Sequence, residues 1–467
     1  MRGYRWAVLL LALLCVGLLT GATLAILDTA DQVSVEREVL AGDPDAAAGV
    51  ELTLPLTCED QLFWVTTFPA ARPEEASTVF ESTLSEDYRT APLERQPLSV
   101  EIAEVYYWGE TPDTPYTLYD SFRQQARESV PVGTEATVSF RLRDYFDTWP
   151  LRVTGDSPDI GYNLSENLSL RKLFQDYFAF PVPDDATFTL TVHSSSGYSY
   201  SSGFIPRVES HSAACGDTII FVLSSTATIS DEYGRSVSAP LDGSAIPGGW
   251  GLYRYTFADD GGAGTLETLW SLPEEASILD FWGTEDETDF FLLTREEGQL
   301  RLRVFDGDGN LRQSLDLLSF SDEESYMQTY KGEDFFVPMV YGPREENYCY
   351  RFPVVCRQQE GWALAFTGDD REAAQLDHGG FSWADDQYAG LSMAFDGERL
   401  AVRDGCRRDN SPFHLAIYSR DGLDYLATYQ NSVAQAADDS NIGPLYYDMA
   451  RLFWLGTPII RWTESAS

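Results

Sequence analysis

Three side chains with oxygen ligands stand at alternate positions in the segment Asp306-Gly-Asp-Gly-Asn310. An EF-hand loop begins with this spacing, since its first Ca²⁺ ligands come from positions 1, 3 and 5. The rest of such a loop does not follow, because Leu311 replaces the invariant glycine and Leu317 replaces the bidentate glutamate. The segment therefore favours a β-hairpin turn, for which Gly, Asp and Asn tolerate positive φ, over a Ca²⁺ site. Ca²⁺ is the only cofactor that the sequence leaves open.

A serine lies among glycines in the segment Gly155-Asp-Ser157-Pro-Asp-Ile-Gly161. A nucleophile elbow needs G-x-S-x-G, and Asp159 occupies the position of its last glycine. The Gly-Asp-Ser start resembles the GDSL hydrolases, which carry it on their first strand with a D-x-x-H motif downstream. In this chain the segment lies far from the N-terminus, and Gln375 stands where that aspartate belongs before His378. We interpret the segment as a turn between a strand and a helix.

The chain has only four histidines, at positions 193, 211, 378 and 414. They form neither H-x-x-x-H nor H-E-x-x-H, which excludes a zincin-type metal site at the level of motifs. Asp377 could orient His378 as a base, although a histidine in a Gly-rich segment is more often a loop residue. The sequence assigns no catalytic, cofactor-binding or metal-binding residue.

Outside the first thirty residues there are five cysteines, an odd number that leaves at least one thiol unpaired in an exported protein. No C-x-x-C pair exists, so a redox or zinc site of that type is absent. Two of the cysteines are close enough in sequence to bridge a loop or adjacent strands, but the pairing does not follow from the sequence. The five are Cys58, Cys215, Cys349, Cys356 and Cys406.

Glycoside hydrolysis needs two carboxyl groups, and the 74 acidic residues offer too many candidates to identify a pair. Tryptophans beside such a pair could stack on sugars, whereas tryptophans at regular repeat positions are more often part of the core. A surface glycoside hydrolase or lyase with paired carboxylates is therefore the alternative hypothesis for function. The tryptophans in question are Trp282, Trp362, Trp383 and Trp454.

The formal net charge is −42, and lysine occurs only at Lys172 and Lys331. A surface of this charge repels phosphate backbones and anionic headgroups, which argues against nucleic acid as a partner. It attracts cations, including Ca²⁺.

The first thirty residues predict a membrane anchor. Arg2 and Arg5 precede an uncharged run of 22 residues, 6–27, and Asp28 follows it. That length is enough for a helix to cross a hydrocarbon core of about 30 Å. The charge order predicts a cytoplasmic stub at 1–5 and an ectodomain outside, in a single-pass membrane protein. A cleaved signal sequence, which would give a secreted protein, is the alternative.

Beyond the anchor, the composition changes twice. Residues 28–49 are acidic and alanine-rich and are expected to form a spacer. From residue 50, β-branched and aromatic residues alternate with polar ones, as is typical of strands. Two short amphipathic stretches, near Phe122 and near Phe174, are expected to be helices. We therefore expect residues 50–205 to form a β-rich, sandwich-like domain with small helices.

Residues 206–467 contain an internal pattern in which an apolar strand runs into a Gly/Asp turn. The pattern occurs four times, with Phe257, Phe305, Phe366 and Tyr418 as equivalent anchors at spacings of 48, 61 and 52 residues. Three to four strands every 40 to 60 residues are typical of propeller blades. This region resembles a divergent β-propeller, and it lacks the Trp-Asp and kelch signatures. The fold class is therefore expected to be all-β, with an N-terminal transmembrane helix.

These observations favour a membrane-anchored, extracytoplasmic binding or scaffold module for a protein or a glycan. The contacts expected are the membrane through residues 6–27 and a ligand on the propeller loops. No nucleic acid is expected.

Overall fold

The chain is described by a computed structural model in which the placement of most residues is defined. The described residues are 2–30, 34–58, 62–81, 96–103, 118–131, 134–155, 168–192, 198–202, 205–230, 236–239, 241, 243–258, 262–273, 276–284, 286–332, 334–344, 347–371, 392–403, 413–431 and 459–463.

A single helix, α1 (Arg2–Ala30), covers the uncharged N-terminal run. Its apolar side chains are exposed, Trp6 by 67% and Leu19 by 69%. In the described part of the chain, no helix reaches the length and apolar character needed to cross a membrane. The structure thus supports a helix at residues 6–27 but does not support the transmembrane span expected there.

The remaining structure is mostly β and divides into two compact units. Unit 1 comprises Met1–Glu94 and Ser321–Ser467, and unit 2 comprises Arg95–Phe320. Unit 1 is thus built from both ends of the chain. These divisions lie at 94/95 and 320/321, whereas the sequence suggested a boundary at 205/206.

Unit 2 contains two antiparallel sheets in which neighbouring strands follow one another along the chain. Such meanders are the building element of propeller blades. We call them blade-like sheets. The first has the order β10-β11-β13-β14, with β12 also paired to β11, and the second has the order β15-β16-β17-β18. Their strands are β10 (Ile205–Cys215), β11 (Thr218–Ser230), β12 (Ser236–Ala239), β13 (Gly251–Thr256), β14 (Thr265–Ser271), β15 (Ser277–Gly283), β16 (Asp289–Glu296), β17 (Gln299–Asp306) and β18 (Leu311–Ser319).

The rest of unit 2 packs two helices and two small sheets around an aromatic core. In α2, Phe122 and Ala126 are fully buried on one face, and in α3, Phe174 is fully buried against Phe221 and Tyr255, which confirms both helices expected from the sequence. The elements are β5 (Ser99–Ile102), α2 (Leu118–Ser129), β6 (Ala136–Arg141), β7 (Leu151–Thr154), α3 (Leu168–Tyr177), β8 (Thr187–Val192) and β9 (Tyr198–Ser202). The sheet orders are β5-β7 and β6-β8-β9.

Unit 1 contains three blade-like sheets, of which two combine strands from both chain ends. Their orders are β19-β20-β21-β22, β1-β26-β25-β24-β23 and β27-β2-β3-β4. The strands are β1 (Val35–Gly42), β2 (Val50–Cys58), β3 (Leu62–Pro69), β4 (Ser77–Glu81), β19 (Ser325–Lys331), β20 (Phe335–Arg344), β21 (Asn347–Gln358), β22 (Gly361–Asp369), β23 (Ser392–Phe395), β24 (Leu400–Arg403), β25 (Phe413–Ser419), β26 (Gly422–Asn431) and β27 (Ile459–Trp462).

The stretch 28–49, which looks like a spacer in the sequence, is part of this fold. It contains the end of α1, β1 and a short 3-10 helix, Pro44–Ala47. β1 pairs with β26 over Val35↔Asn431 to Gly42↔Tyr425. Its polar sequence hid it, because only Val35 is fully buried and the partner strand lies almost 400 residues away.

The internal repeat is a repeat of sheets, with one correction to its alignment. Phe305 and Tyr418 lie near the ends of third strands and Phe257 directly follows one, but Phe366 lies in the fourth strand β22. The third strands β13, β17 and β21 begin at Gly251, Gln299 and Asn347, which are separated by 48 residues each. The period is therefore more regular than the anchors suggested.

The hairpin between β16 and β17 gives a stability prediction. Glu296 pairs with Gln299, so the loop is Glu297-Gly298, and both residues have positive φ, 49° and 72°. Asparagine tolerates this left-handed region better than glutamate, and Asn-Gly is the preferred loop of this turn. Glu297→Asn should raise the free energy of unfolding by about 1 kcal/mol, measured by urea denaturation. Glu297→Ala should give no gain, and an equal gain from both variants would contradict this explanation.

Candidate functional site

The most chemically unusual group of side chains lies at one end of the sheet β19–β22. In an antiparallel meander, the starts of the first and third strands and the end of the fourth lie at the same end of the sheet. Glu324 precedes the first strand, Cys349 and Arg351 lie at the start of the third, and Asp370 follows the fourth. We call these four residues the strand-end cluster. All four are buried, with exposed fractions between 1% and 9%.

One half of the strand-end cluster is a closed ion pair. Arg351 Nη2 donates to Glu324 Oε1 at 2.5 Å, and the backbone N–H of Ser321 donates to Glu324 Oε2 at 2.7 Å. The Glu324 side chain lies over Gly342, where a Cβ atom would come within 2.3 Å of Glu324 Cγ. Breaking a buried pair of this kind by removing one partner is strongly destabilising, because the other charge stays buried and unpaired.

The other half is a thiol–carboxyl pair. The backbone N–H of Tyr350 donates to Asp370 Oδ1 at 2.7 Å, and the Cys349 thiol is also hydrogen-bonded to that carboxyl. Burial raises the pKa of Asp370 to about 8, and the charge of Asp369 adds to the rise. Burial likewise raises the pKa of Cys349 to about 12.

These directions decide what the pair can do chemically. A thiol with so high a pKa carries almost no thiolate at neutral pH, so Cys349 is not a nucleophile there. A carboxyl that is mainly protonated at pH 7 can hold and release a proton. The pair is therefore a proton-holding group inside the sheet.

A second buried charge cluster lies in unit 2, at the hairpin end of β16 and β17. Arg303 forms a two-fold hydrogen-bonded ion pair with Glu296, and Thr294 Oγ1 donates to the same carboxylate at 2.8 Å. Burial alone would raise the pKa of Glu296, but the hydrogen bonds from Arg303 and Thr294 outweigh it and lower the pKa. The guanidinium of Arg303 also lies 5.0 Å from the ring centre of Trp270. This carboxylate is ionised and fully engaged.

Asp306-Gly-Asp-Gly-Asn310 forms the turn between β17 and β18, as the hairpin interpretation predicts. Asp306 Oδ1 accepts from the backbone N–H groups of Asp308 and Asn310 at 3.0 and 2.9 Å. Among the residues whose placement is defined, no three His, Cys, Asp or Glu side chains are grouped to hold a metal ion. The suggestion of Ca²⁺ stays a prediction from the sequence.

The tryptophans and histidines considered from the sequence fall into two groups. Trp282 and Trp362 are buried, each packed on a phenylalanine ring, so they belong to the core rather than to an exposed sugar platform. His211 Nδ1 lies 3.7 Å from Asp280 Oδ1, and His414 is buried. Outside the described residues lie Ser157, Asp159, His193, Gln375, Asp377, His378, Trp383 and Trp454.

The suggested bridge between Cys349 and Cys356 is not formed, and both thiols are free. They lie seven residues apart on the one strand β21, so they are separated by about 23 Å and point to opposite faces. Cys215 is also free. The side chain of Cys58 and all of Cys406 lie outside the described residues.

The residues of both buried clusters were missed by sequence reasoning. Charged residues that alternate with Leu, as in Gln299-Leu-Arg-Leu-Arg303, normally mark the solvent face of a strand. Here the opposite charge comes from the neighbouring strand, so the two side chains neutralise each other in the interior. A glycine at position 342, which leaves room for Glu324, was the only local signal for the strand-end cluster.

Gly342 gives a test of how tightly the cluster is packed. Gly342→Ala should lower the free energy of unfolding by about 1–3 kcal/mol, because the new methyl group overlaps the Glu324 side chain. Urea denaturation followed by tryptophan fluorescence measures the change. Gly368→Ala, in the same sheet and with its nearest contact at 3.4 Å, is the matched control and should be tolerated. Equal losses in both variants would contradict the packing argument.

Comparisons with known proteins give no family. No protein-family model matches the chain, and no curated protein sequence matches it. A chain in the crystal structure of a mitotic checkpoint complex matches at 10% identity and a TM-score of 0.23, and this protein spans about half of that chain, 48%, with 46% of its own length. TolB from Acinetobacter baumannii matches at 10% identity and a TM-score of 0.19, over 82% of this chain and 79% of that one. The Nup133 β-propeller domain from Vanderwaltozyma polyspora matches at 8% identity and a TM-score of 0.19, over 53% and 91%. At TM-scores this low, the likenesses carry no argument about fold or function.

Proposed function

We propose that this chain is a non-enzymatic binding or scaffold module of β-propeller type that works outside the cytoplasm and recognises a protein or a glycan. The blade-like sheets supply a rigid frame, and the loops between their strands supply the recognition surface. Loops placed on a rigid scaffold are where binding residues concentrate in many proteins.

The observation that carries the proposal is how the buried charges are used. Glu324 pairs with Arg351, and Glu296 pairs with Arg303, so these carboxylates serve the interior of their sheets. The chain has 74 acidic and 32 basic residues, and few of the acids are buried. The surplus of negative charge is therefore available at the surface.

This charge favours a class of partner. A strongly acidic surface steers basic protein surfaces toward it and repels nucleic acid. A protein with a basic surface is thus the first choice of ligand, and a neutral glycan is the second.

Cross-linking and pull-down from the native cell surface, with the tagged full-length protein as bait, tests the proposal. We expect a reproducible protein partner with a basic surface, whose retention falls as salt is raised because exposed charge pairs are screened within about 8 Å at physiological ionic strength. A tagged, heat-denatured sample of the same protein is the control for non-specific retention by negative charge.

The other outcomes separate the alternatives. Retention that salt does not change, together with binding to purified cell-surface glycan, would move the ligand class to glycan. Turnover of a glycan by the purified protein would overturn the non-enzymatic proposal in favour of a hydrolase or lyase.

Localisation is tested separately. The order of Arg2, Arg5, the uncharged run and Asp28 predicts a full-length protein that stays in the membrane fraction after a high-salt wash. A shortened protein in the medium would indicate a cleaved signal instead. A full-length protein that the salt wash removes would contradict both.

A further inference from the structure

Asp370 satisfies both backbone groups of one residue at the start of β21. Its carboxyl accepts from the backbone N–H of Tyr350 at 2.7 Å, and its own backbone N–H donates to the Tyr350 carbonyl at 3.1 Å. Because β22 is the outer strand of its sheet, these two bonds fasten the end of an edge strand to the interior. Whatever weakens Asp370 in this place loosens the end of β22.

The charges around Asp370 oppose its ionisation. The nearest cation, Arg371, is paired with Asp369, its Nη2 lying 2.7 Å from Asp369 Oδ2. Arg351, on the neighbouring strand, is paired with Glu324. An ionised Asp370 would therefore be buried next to a second carboxylate, with the Tyr350 N–H and the Cys349 thiol as its hydrogen-bond donors.

The other titratable groups close by belong to β20 and β21. Burial raises the pKa of Cys349 and of Tyr350, each to about 12, and the ring of Tyr341 stacks near that of Tyr350 at 4.8 Å. Neither Cys349 nor Tyr350 can supply a positive charge. No described group next to Asp370 thus offers it the compensation that Arg351 gives to Glu324.

We propose that the Cys349–Asp370 pair is a proton-dependent lock that holds the end of β22 against the start of β21. The lock is closed while Asp370 carries its proton, and it loosens when the proton is lost. This regulation goes beyond the proposed function and does not depend on the nature of the ligand.

The direction of the effect follows from proton linkage. The pKa of Asp370 is about 8 when the lock is closed and near the ordinary value of 3.8 when it is open. The closed state therefore binds the extra proton, and its advantage is complete below about pH 4 and disappears as the pH rises through about 8. Between these limits, opening becomes up to tenfold more favourable for each pH unit.

Cys349 reports the opening, because its thiol is 1% exposed while the lock is closed. The experiment measures the rate of N-ethylmaleimide labelling of each cysteine by peptide mass spectrometry, in the full-length protein, from about pH 5 to about pH 8.5. Each rate is divided into that of the same cysteine in urea at the same pH, which removes the pH dependence of the thiol itself. We expect the protection of Cys349 to fall nearly tenfold per pH unit up to about pH 8.

Three controls make the result specific. Asp370→Asn keeps the shape and removes the proton, so its Cys349 protection should be independent of pH. Asp369→Asn removes a neighbouring exposed charge, so the fall should end at a lower pH, and this variant serves if Asp370→Asn does not fold. Cys356, on the same strand but remote from Asp370, should show no difference between wild type and Asp370→Asn.

Two results would overturn the lock. A Cys349 protection that is the same at about pH 5.5 and about pH 7.5 in the wild type would show that Asp370 does not change its charge in this range. A pH-dependent fall that persists in Asp370→Asn, or that is unshifted in Asp369→Asn, would assign the effect to other groups. Failure of the lock would leave the pull-down result untouched, since the two experiments share no readout.

Discussion

The pairing of the two chain ends is the constraint on which unit 1 depends. β1 adds to the outside of the sheet β23–β26, and β27 supplies the first strand of the sheet that β2, β3 and β4 complete. The junction is also fastened by side chains. Tyr429 Oη donates to the Ala70 carbonyl at 2.8 Å, and Arg37 Nη1 donates to the carbonyls of Ala70 and Ala71 at 3.2 and 2.8 Å. Without these contacts, two sheets would lack strands and their apolar faces would be open to water.

The latch at β27 has the same character. Trp462 Nε1 donates to the Ala394 carbonyl at 3.0 Å, and the Arg399 guanidinium lies 4.4 Å from the Trp462 ring centre while Nη1 of the same residue donates to the Ala46 carbonyl. Residues from three distant segments thus meet at one tryptophan. The entropy of closing so long a loop grows only by about 0.6 kcal/mol for each doubling of its length, so these few contacts can offset it.

Buried charge is handled differently in the two units. The pairs Glu324–Arg351 and Glu296–Arg303 place a cation against each carboxylate, and hydrogen bonds satisfy the remaining lone pairs. Asp370 has no such cation and remains neutral at pH 7 because burial disfavours its charged form. The same physical cost is therefore met by pairing in two places and by protonation in the third. This contrast is why Asp370, rather than the ion pairs, responds to pH.

The sequence by itself determined the local elements. The alternation of Thr187 to Val192 gave a strand, the spacing of Phe122 and Ala126 gave a helix with one buried face, and the Asp/Gly/Asn segment at 306–310 gave a hairpin, because each depends only on neighbours along the chain. The tertiary structure alone decided which strands share a sheet, where the unit boundaries fall and which charges are buried. Val35 to Gly42 looks like a polar spacer until residues 425–431 lie beside it, and Arg303 looks exposed until Glu296 faces it. Such partners come from other strands or from the opposite end of the chain, where periodicity in a single segment carries no information.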